Sequence, residues 1–273
     1  MVDSFKKINL NFWLFATLAI VILASLIIVS INFLRVNLTL NGKIALAEEI
    51  KRPAEVEAII VKESSCVECV DVAPILEKIK QNNVNIKSIK TVERMSEEGD
   101  GLIKKYSLEK IPSFILTGEI DKGEFLKKIL PALGEIKDNA FILKNIGGPF
   151  VAVADGQIKG KAKLILLTDS TCPQCYDAVV HQAIVKQFGL NPTIETVDSQ
   201  SLVGKKFISA YRIQLLPTII IQGDLGVYPQ LKTVWPQVGD IAKDGAYVFR
   251  QGVKGMGVYH DLASNKIIEP QKK

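Results

Sequence analysis

"STCPQC", residues 170–175, lies one residue, Asp169, beyond the apolar run "LILLT". Earlier, "SSCVEC", residues 64–69, closely follows "AIIVK", and these two stretches hold all four cysteines of the chain. Two C-x-x-C pairs, each behind a strand-length apolar run, point to one structural unit used twice. The repeat extends well beyond the cysteines. "YSLEKIPSFILTGEI" from Tyr106 aligns with "YRIQLLPTIIIQGDL" from Tyr211, and "LPALGEIKDNAFILK" from Leu130 aligns with "WPQVGDIAKDGAYVFR" from Trp235. Pro131 then meets Pro236, Gly134 meets Gly239 and, after one insertion, Ala140 meets Ala246. Landmarks kept in register this far are the signature of internal duplication.

Within each unit the order reads strand, cysteine motif, helix, strand, helix, proline-led strand. "VDVAPILEKIKQ" and "YDAVVHQAIVKQF" carry apolar residues at helical spacing, whereas "VNIKSIKTV" and "PTIETVD" read as strands. Such alternation predicts an α/β fold with a parallel or mixed sheet. The segments "NAFILK…ADGQIKG" and "GAYVFR…ASNKII" read as an extra hairpin or strand pair per unit, without assigned chemistry. The expected organisation is a tail at 1–11, an anchor at 12–34, a linker at 35–54, and two domains at 55–160 and 161–270.

The anchor rests on an apolar run without charge, whose 23 residues would span about 34 Å as a helix, against roughly 30 Å of hydrocarbon. A cleaved signal peptide is the competing reading, but Ala45-Leu46-Ala47 lies well past the run. Lys6 and Lys7 favour a cytoplasmic N-terminus, while Arg35, Lys43, Lys51 and Arg52 argue the opposite way. Large C-terminal domains cross largely regardless of charge. The expectation is therefore a single-pass membrane protein with extracytoplasmic domains. The chain has 273 residues, is 48% hydrophobic and carries a net charge of +5 without a dense basic run, so no nucleic-acid partner is expected.

For the cysteines, a helix opening at each motif would place Cys66 and Cys172 near a positive dipole end, favouring thiolate. They are then the expected nucleophiles, with Cys69 and Cys175 resolving the mixed disulfide. Zinc ribbons usually separate their cysteine pairs by about 15–20 residues, and a C-x-x-C staple closes too small a loop to stabilise much. Glu68, inside the first pair, opposes thiolate at Cys66, so the second pair is expected to be the more oxidising. Glu63 and Asp169, three residues before the first cysteines, read as exposed loop carboxylates, with proton relay as the competing reading.

Each unit resembles a thioredoxin-fold domain, with "CVEC" or "CPQC" after the first strand and "IP" or "LP" 45–46 residues later. The tandem is similar to two-domain protein disulfide oxidoreductases. The resemblance implies that Pro112 and Pro217 are cis and that Ile111 and Leu216 offer a backbone edge to substrate. It also matches Pro74 to a helix-kinking proline, whose counterpart here is Val180. Neither motif has the preceding tryptophan, and Ile60 and Leu166 stand where thioredoxin keeps a buried aspartate. The function implied is a membrane-anchored thiol–disulfide oxidoreductase acting on protein thiols and disulfides. No G-x-G-x-x-G follows a strand, so no cofactor is expected and electrons come from a redox partner protein, itself free to be membrane-bound. A non-catalytic binding module and thiol-based metal binding remain as alternatives, although no metal ligands are assigned.

Overall fold

The computed structural model describes residues 2–269, with side chains from Trp13 onward; Met1 and residue 270, the expected end of the second domain, lie outside the described residues. The N-terminal unit is one helix, α1 (Val2–Lys51), about 75 Å long. It is the one described helix long and apolar enough to cross a membrane, with a mean hydropathy of 2.9 over its most apolar window. The expected linker at 35–54 is thus helical as far as Lys51. The reason is local: between Arg35 and Lys51 the chain has no proline, and its one interruption, Gly42, costs a helix only about 1 kcal/mol. Pro53 stops the helix, because the residue before a proline is disfavoured in the α region.

From Ala54 onward the chain forms a second unit built from two matching halves. The first runs β1 (Ala54–Lys62), α2 (Ala73–Lys80), β2 (Val84–Glu93), α3 (Glu97–Tyr106), β3 (Lys110–Ile111), β4 (Ser113–Gly118), α4 (Glu124–Leu133), β5 (Gly134–Lys137), β6 (Ala140–Leu143), β7 (Phe150–Ala152) and β8 (Ile158–Lys159). The second repeats it as β9 (Ala162–Thr168), α5 (Val180–Gln187), β10 (Thr193–Asp198), α6 (Leu202–Tyr211), β11 (Leu215–Leu216), β12 (Thr218–Gly223), α7 (Pro229–Val234), β13 (Gly239–Ile241), β14 (Tyr247–Phe249), β15 (Tyr259–Asp261) and β16 (Lys266–Ile268).

Each half has an open five-stranded sheet, ordered β2-β1-β4-β6-β5 and β10-β9-β12-β14-β13. The strand before each cysteine motif, β1 or β9, runs parallel to β2 or β10 and antiparallel to the proline-led β4 or β12. This is the expected thioredoxin-like arrangement, with one difference. A helix, α4 or α7, intervenes before the strand that closes on β4 or β12.

The sheets are covered on both faces, which explains why "LILLT" is apolar throughout rather than alternating. Leu164 and Leu166 pack with Val185 and Leu231 on one face, while Ile165 and Leu167 pack with Tyr211 and Ile220 on the other. In the first half Phe114 and Leu116 join Leu76 and Leu126, and Ile115 joins Tyr106.

The shared landmarks have physical reasons. Ser96 and Ser201 cap α3 and α6, accepting from the N–H of Gly99 and Gly204 at 3.0 and 2.9 Å. A β-carbon at either glycine would run into the carbonyl of Glu93 or Asp198. Pro74 lies in the first turn of α2, where its missing N–H costs nothing, so it starts the helix instead of kinking it. Replacing Gly204 with alanine should therefore cost about 1–3 kcal/mol through forced backbone movement. Urea unfolding checks this, and an unchanged midpoint would contradict the close approach.

Candidate functional site

Both pairs are disulfides, Cys66–Cys69 and Cys172–Cys175. Each sits in the loop after β1 or β9, but the helix does not begin there. Helix α2 opens at Ala73 and α5 at Val180, well beyond the motifs. Asp71 and Asp177 account for the delay: each accepts, at 2.9 Å, an N–H two residues ahead, forming a local turn that competes with helix. The dipole fades within one turn, so the expected helix-terminal support for thiolate at Cys66 and Cys172 is missing.

The loops are held instead from a distance. Each motif first turns on itself, with Cys66 N–H donating to Glu63 C=O and Cys172 N–H to Asp169 C=O. The next residues are then clamped by remote chain. Val70 N–H donates to Pro149 C=O at 2.8 Å, and Tyr176 N–H to Val258 C=O at 2.9 Å.

The prolines Pro112 and Pro217 are cis, as the resemblance implies, and Pro149 is a third that the sequence pattern does not reveal. Pro112 lines a cleft of about 410 Å³ together with Cys66 and Cys69. In the second half the Tyr176 hydroxyl donates to the Pro217 carbonyl at 2.8 Å, tying the residue after Cys175 to the proline.

The backbone edges before these prolines are not open. Ile111 pairs with Val151 of β7, and Leu216 with His260 of β15. Val153 N–H donates to Glu109 C=O, and Leu262 N–H to Gln214 C=O. The antiparallel alternation makes the pairs two residues on, at Ile111 and Leu216, the next hydrogen-bonded ones. Both residues are fully buried. The hairpin of each half has taken the edge expected for substrate.

Burial differs within each pair, against the order expected from the roles. Cys66 and Cys172 are 9% and 3% exposed, whereas Cys69 and Cys175 are half-buried. Cys69 also borders a second cleft, of about 600 Å³, that reaches Lys161 and Gln222.

The carboxylates are the other correction. Glu63 is only 15% exposed and pairs with Arg94 at 2.8 Å, a hydrogen bond that, with one from Ser65, holds its carboxyl below the ordinary value. Asp169 has a fully buried side chain. Thr171 donates to it from both N–H and hydroxyl, Ser199 reaches it at 3.3 Å, and His260 Nδ1 lies 2.7 Å away. Burial raises this carboxyl, but the Thr171 and His260 hydrogen bonds outweigh burial and lower it. Neither Arg94 nor His260 stands out in the sequence, although His260 is one of only two histidines. The other, His181, is buried against Phe249 and Tyr176 and pushed down to about 4, hence neutral. Glu68 is met by Lys161, so its charge weighs less on Cys66 than the sequence implies.

No family model matches the chain, and no curated protein matches it. Among solved structures it is similar to AhpF of the alkylhydroperoxide reductase from Enterococcus faecalis (V583), a C503A mutant. That match has 15% identity, covers 66% of this chain and 89% of that one, and has a TM-score of 0.21. A protein disulfide oxidoreductase from Aeropyrum pernix K1 matches at 15% identity, covering 64% and 78%, with a TM-score of 0.17. At such scores the likeness carries nothing about substrate or activity.

Access gives a direct prediction for the sulfurs. With Cys66 or Cys172 changed to serine, the remaining Cys69 or Cys175 should react with a thiol reagent several-fold faster than the partner left by Cys69→Ser or Cys175→Ser. Equal or opposite rates, read by the thiolate released from the reagent, would contradict the reversed order.

Proposed function

We propose that this chain is a thiol–disulfide oxidoreductase held at a membrane by α1, with two exchange centres acting on protein thiols and disulfides. The observation that carries the reading is the repeated placement of a C-x-x-C disulfide in the loop after β1 or β9, with a cis proline lining the cleft of the first pair and another bonded by the residue after the second. A structural staple has no need of that proline, and its small loop would add little stability.

In the exchange step a substrate thiolate attacks the sulfur of Cys69 or Cys175, the less buried residue of its pair, forming a mixed disulfide as the S–S bond breaks. Cys66 or Cys172 leaves as thiolate. A second substrate thiolate then attacks the substrate sulfur of the mixed disulfide, releasing Cys69 or Cys175 as thiolate. The substrate leaves oxidised and the pair holds its two electrons; the reverse sequence reduces a substrate disulfide. A redox partner protein must then restore the pair. With the edges at Ile111 and Leu216 paired internally, substrate meets the first pair along the cleft beside Pro112.

The boundary at 160/161 would separate the two exchange modules. The short N-terminal tail would stay in the cytoplasm with both modules outside, because large C-terminal domains cross largely regardless of loop charge.

Insulin reduction and refolding of scrambled ribonuclease test the reading. Changing either cysteine pair to serines should remove part of the rate, and changing all four should leave only the rate of the buffer. An undiminished rate in the four-serine variant would favour a non-catalytic binding module.

A further inference from the structure

The two disulfide loops share a problem and solve it differently. Each has a carboxylate three residues before its first cysteine, mostly or wholly withdrawn from water, and a buried charge needs a partner. In the first half the partner is Arg94, which is protonated at every working pH. In the second it is His260, a residue type that ordinarily changes charge between about pH 5 and 8.

The two cations also come from different elements. Arg94 N–H donates to Lys62 C=O just as Ser199 N–H donates to Thr168 C=O, so Ser199 occupies the place of Arg94. Val151 pairs with Ile111 as His260 pairs with Leu216, so His260 occupies the place of Val151. Both vacated places are buried and uncharged, with Ser199 and Val151 at 1% and 2% exposure. The cation has moved from the turn before the third helix to the hairpin lying against the cis-proline strand.

We propose that His260 is a positioning residue which, through Asp169, sets the charge beneath the second disulfide, while Arg94 fixes the charge beneath the first. With His260 protonated, the Asp169–His260 pair is neutral. With His260 neutral, one uncompensated negative charge remains beside the loop that carries Cys172, opposing thiolate there. The first pair meets a neutral Glu63–Arg94 pair at either pH.

Among the described residues, Thr171, Ser199 and His260 alone bond the Asp169 carboxylate. Asn265 faces the far nitrogen of His260 at 3.3 Å. The other nearby charges are engaged elsewhere. Asp198 accepts from the N–H groups of Ser170 and Gln200. Asp261 accepts from Ala263 and Ser264, feels Lys254, and stands opposite Lys266.

The inference rests on the exchange reading, but its test needs no exchange partner and so fails or succeeds separately. In full-length chain with Cys66, Cys69 and Cys175 changed to serine, the remaining Cys172 is alkylated with iodoacetamide across the pH range. Because alkylation follows the thiolate, log rate should rise with unit slope on either side of the His260 transition and level off only above the thiol's own pKa. A shoulder should separate two parallel lines by about three- to tenfold. His260→Gln should give one straight line, the lower, and His260→Arg one straight line, the upper. In the converse background, with Cys69, Cys172 and Cys175 as serines, Arg94→His should bring the shoulder to Cys66. That gain keeps the test decisive if a His260 variant fails to fold. A shoulder absent from the parent, surviving in His260→Gln, or matched lines for Gln and Arg would overturn the proposal.

Discussion

Each disulfide loop depends on a backbone hydrogen bond from far along the chain: Val70 N–H to Pro149 C=O, and Tyr176 N–H to Val258 C=O. Without a helix starting at the motif, the loop after the second cysteine has no intrahelical partner for these donors, and buried donors must be satisfied. The segment leading into each hairpin supplies them. The same hairpin then pairs with the strand before the cis proline. Loop, proline and hairpin are therefore fixed together, and the route of approach to the sulfurs follows. It also explains why the backbone edge before the proline is closed.

That clamp is the same in both halves, yet the electrostatics are not. A carboxylate lies behind each loop because the turn into the motif places residue three before the cysteine inward. The choice of cation then distinguishes the sites, arginine from one element and histidine from another. Duplication has kept the backbone device and varied the charge. The two halves also meet directly: Gly148 N–H donates to Gly189 C=O at 3.0 Å, and the Tyr228 hydroxyl donates to Gly160 C=O at 2.6 Å.

Much of this is legible from residues alone. The strand runs, the duplicated register and the apolar N-terminal helix follow from local pattern, and the cis prolines Pro112 and Pro217 from the thioredoxin resemblance. The start of α2 and α5 does not, because Asp71 and Asp177 redirect only a few N–H groups and leave the apolar spacing unchanged. The burial of Glu63 and Asp169 is invisible for a different reason. It depends on Arg94 and His260, which lie 31 and 91 residues away in sequence, and no periodicity links such pairs. A rare residue in a hairpin with no assigned chemistry was the available signal, and it was His260.

The central claim is that both pairs are exchange centres rather than staples. Equilibrating the full chain with glutathione buffers, and measuring the oxidised fraction of each pair separately, tests it most directly. The account predicts that both pairs titrate reversibly within the range of thiol–disulfide catalysts, between about −120 and −270 mV. Resistance of both pairs to reduction below about −300 mV, as structural disulfides show, would contradict it.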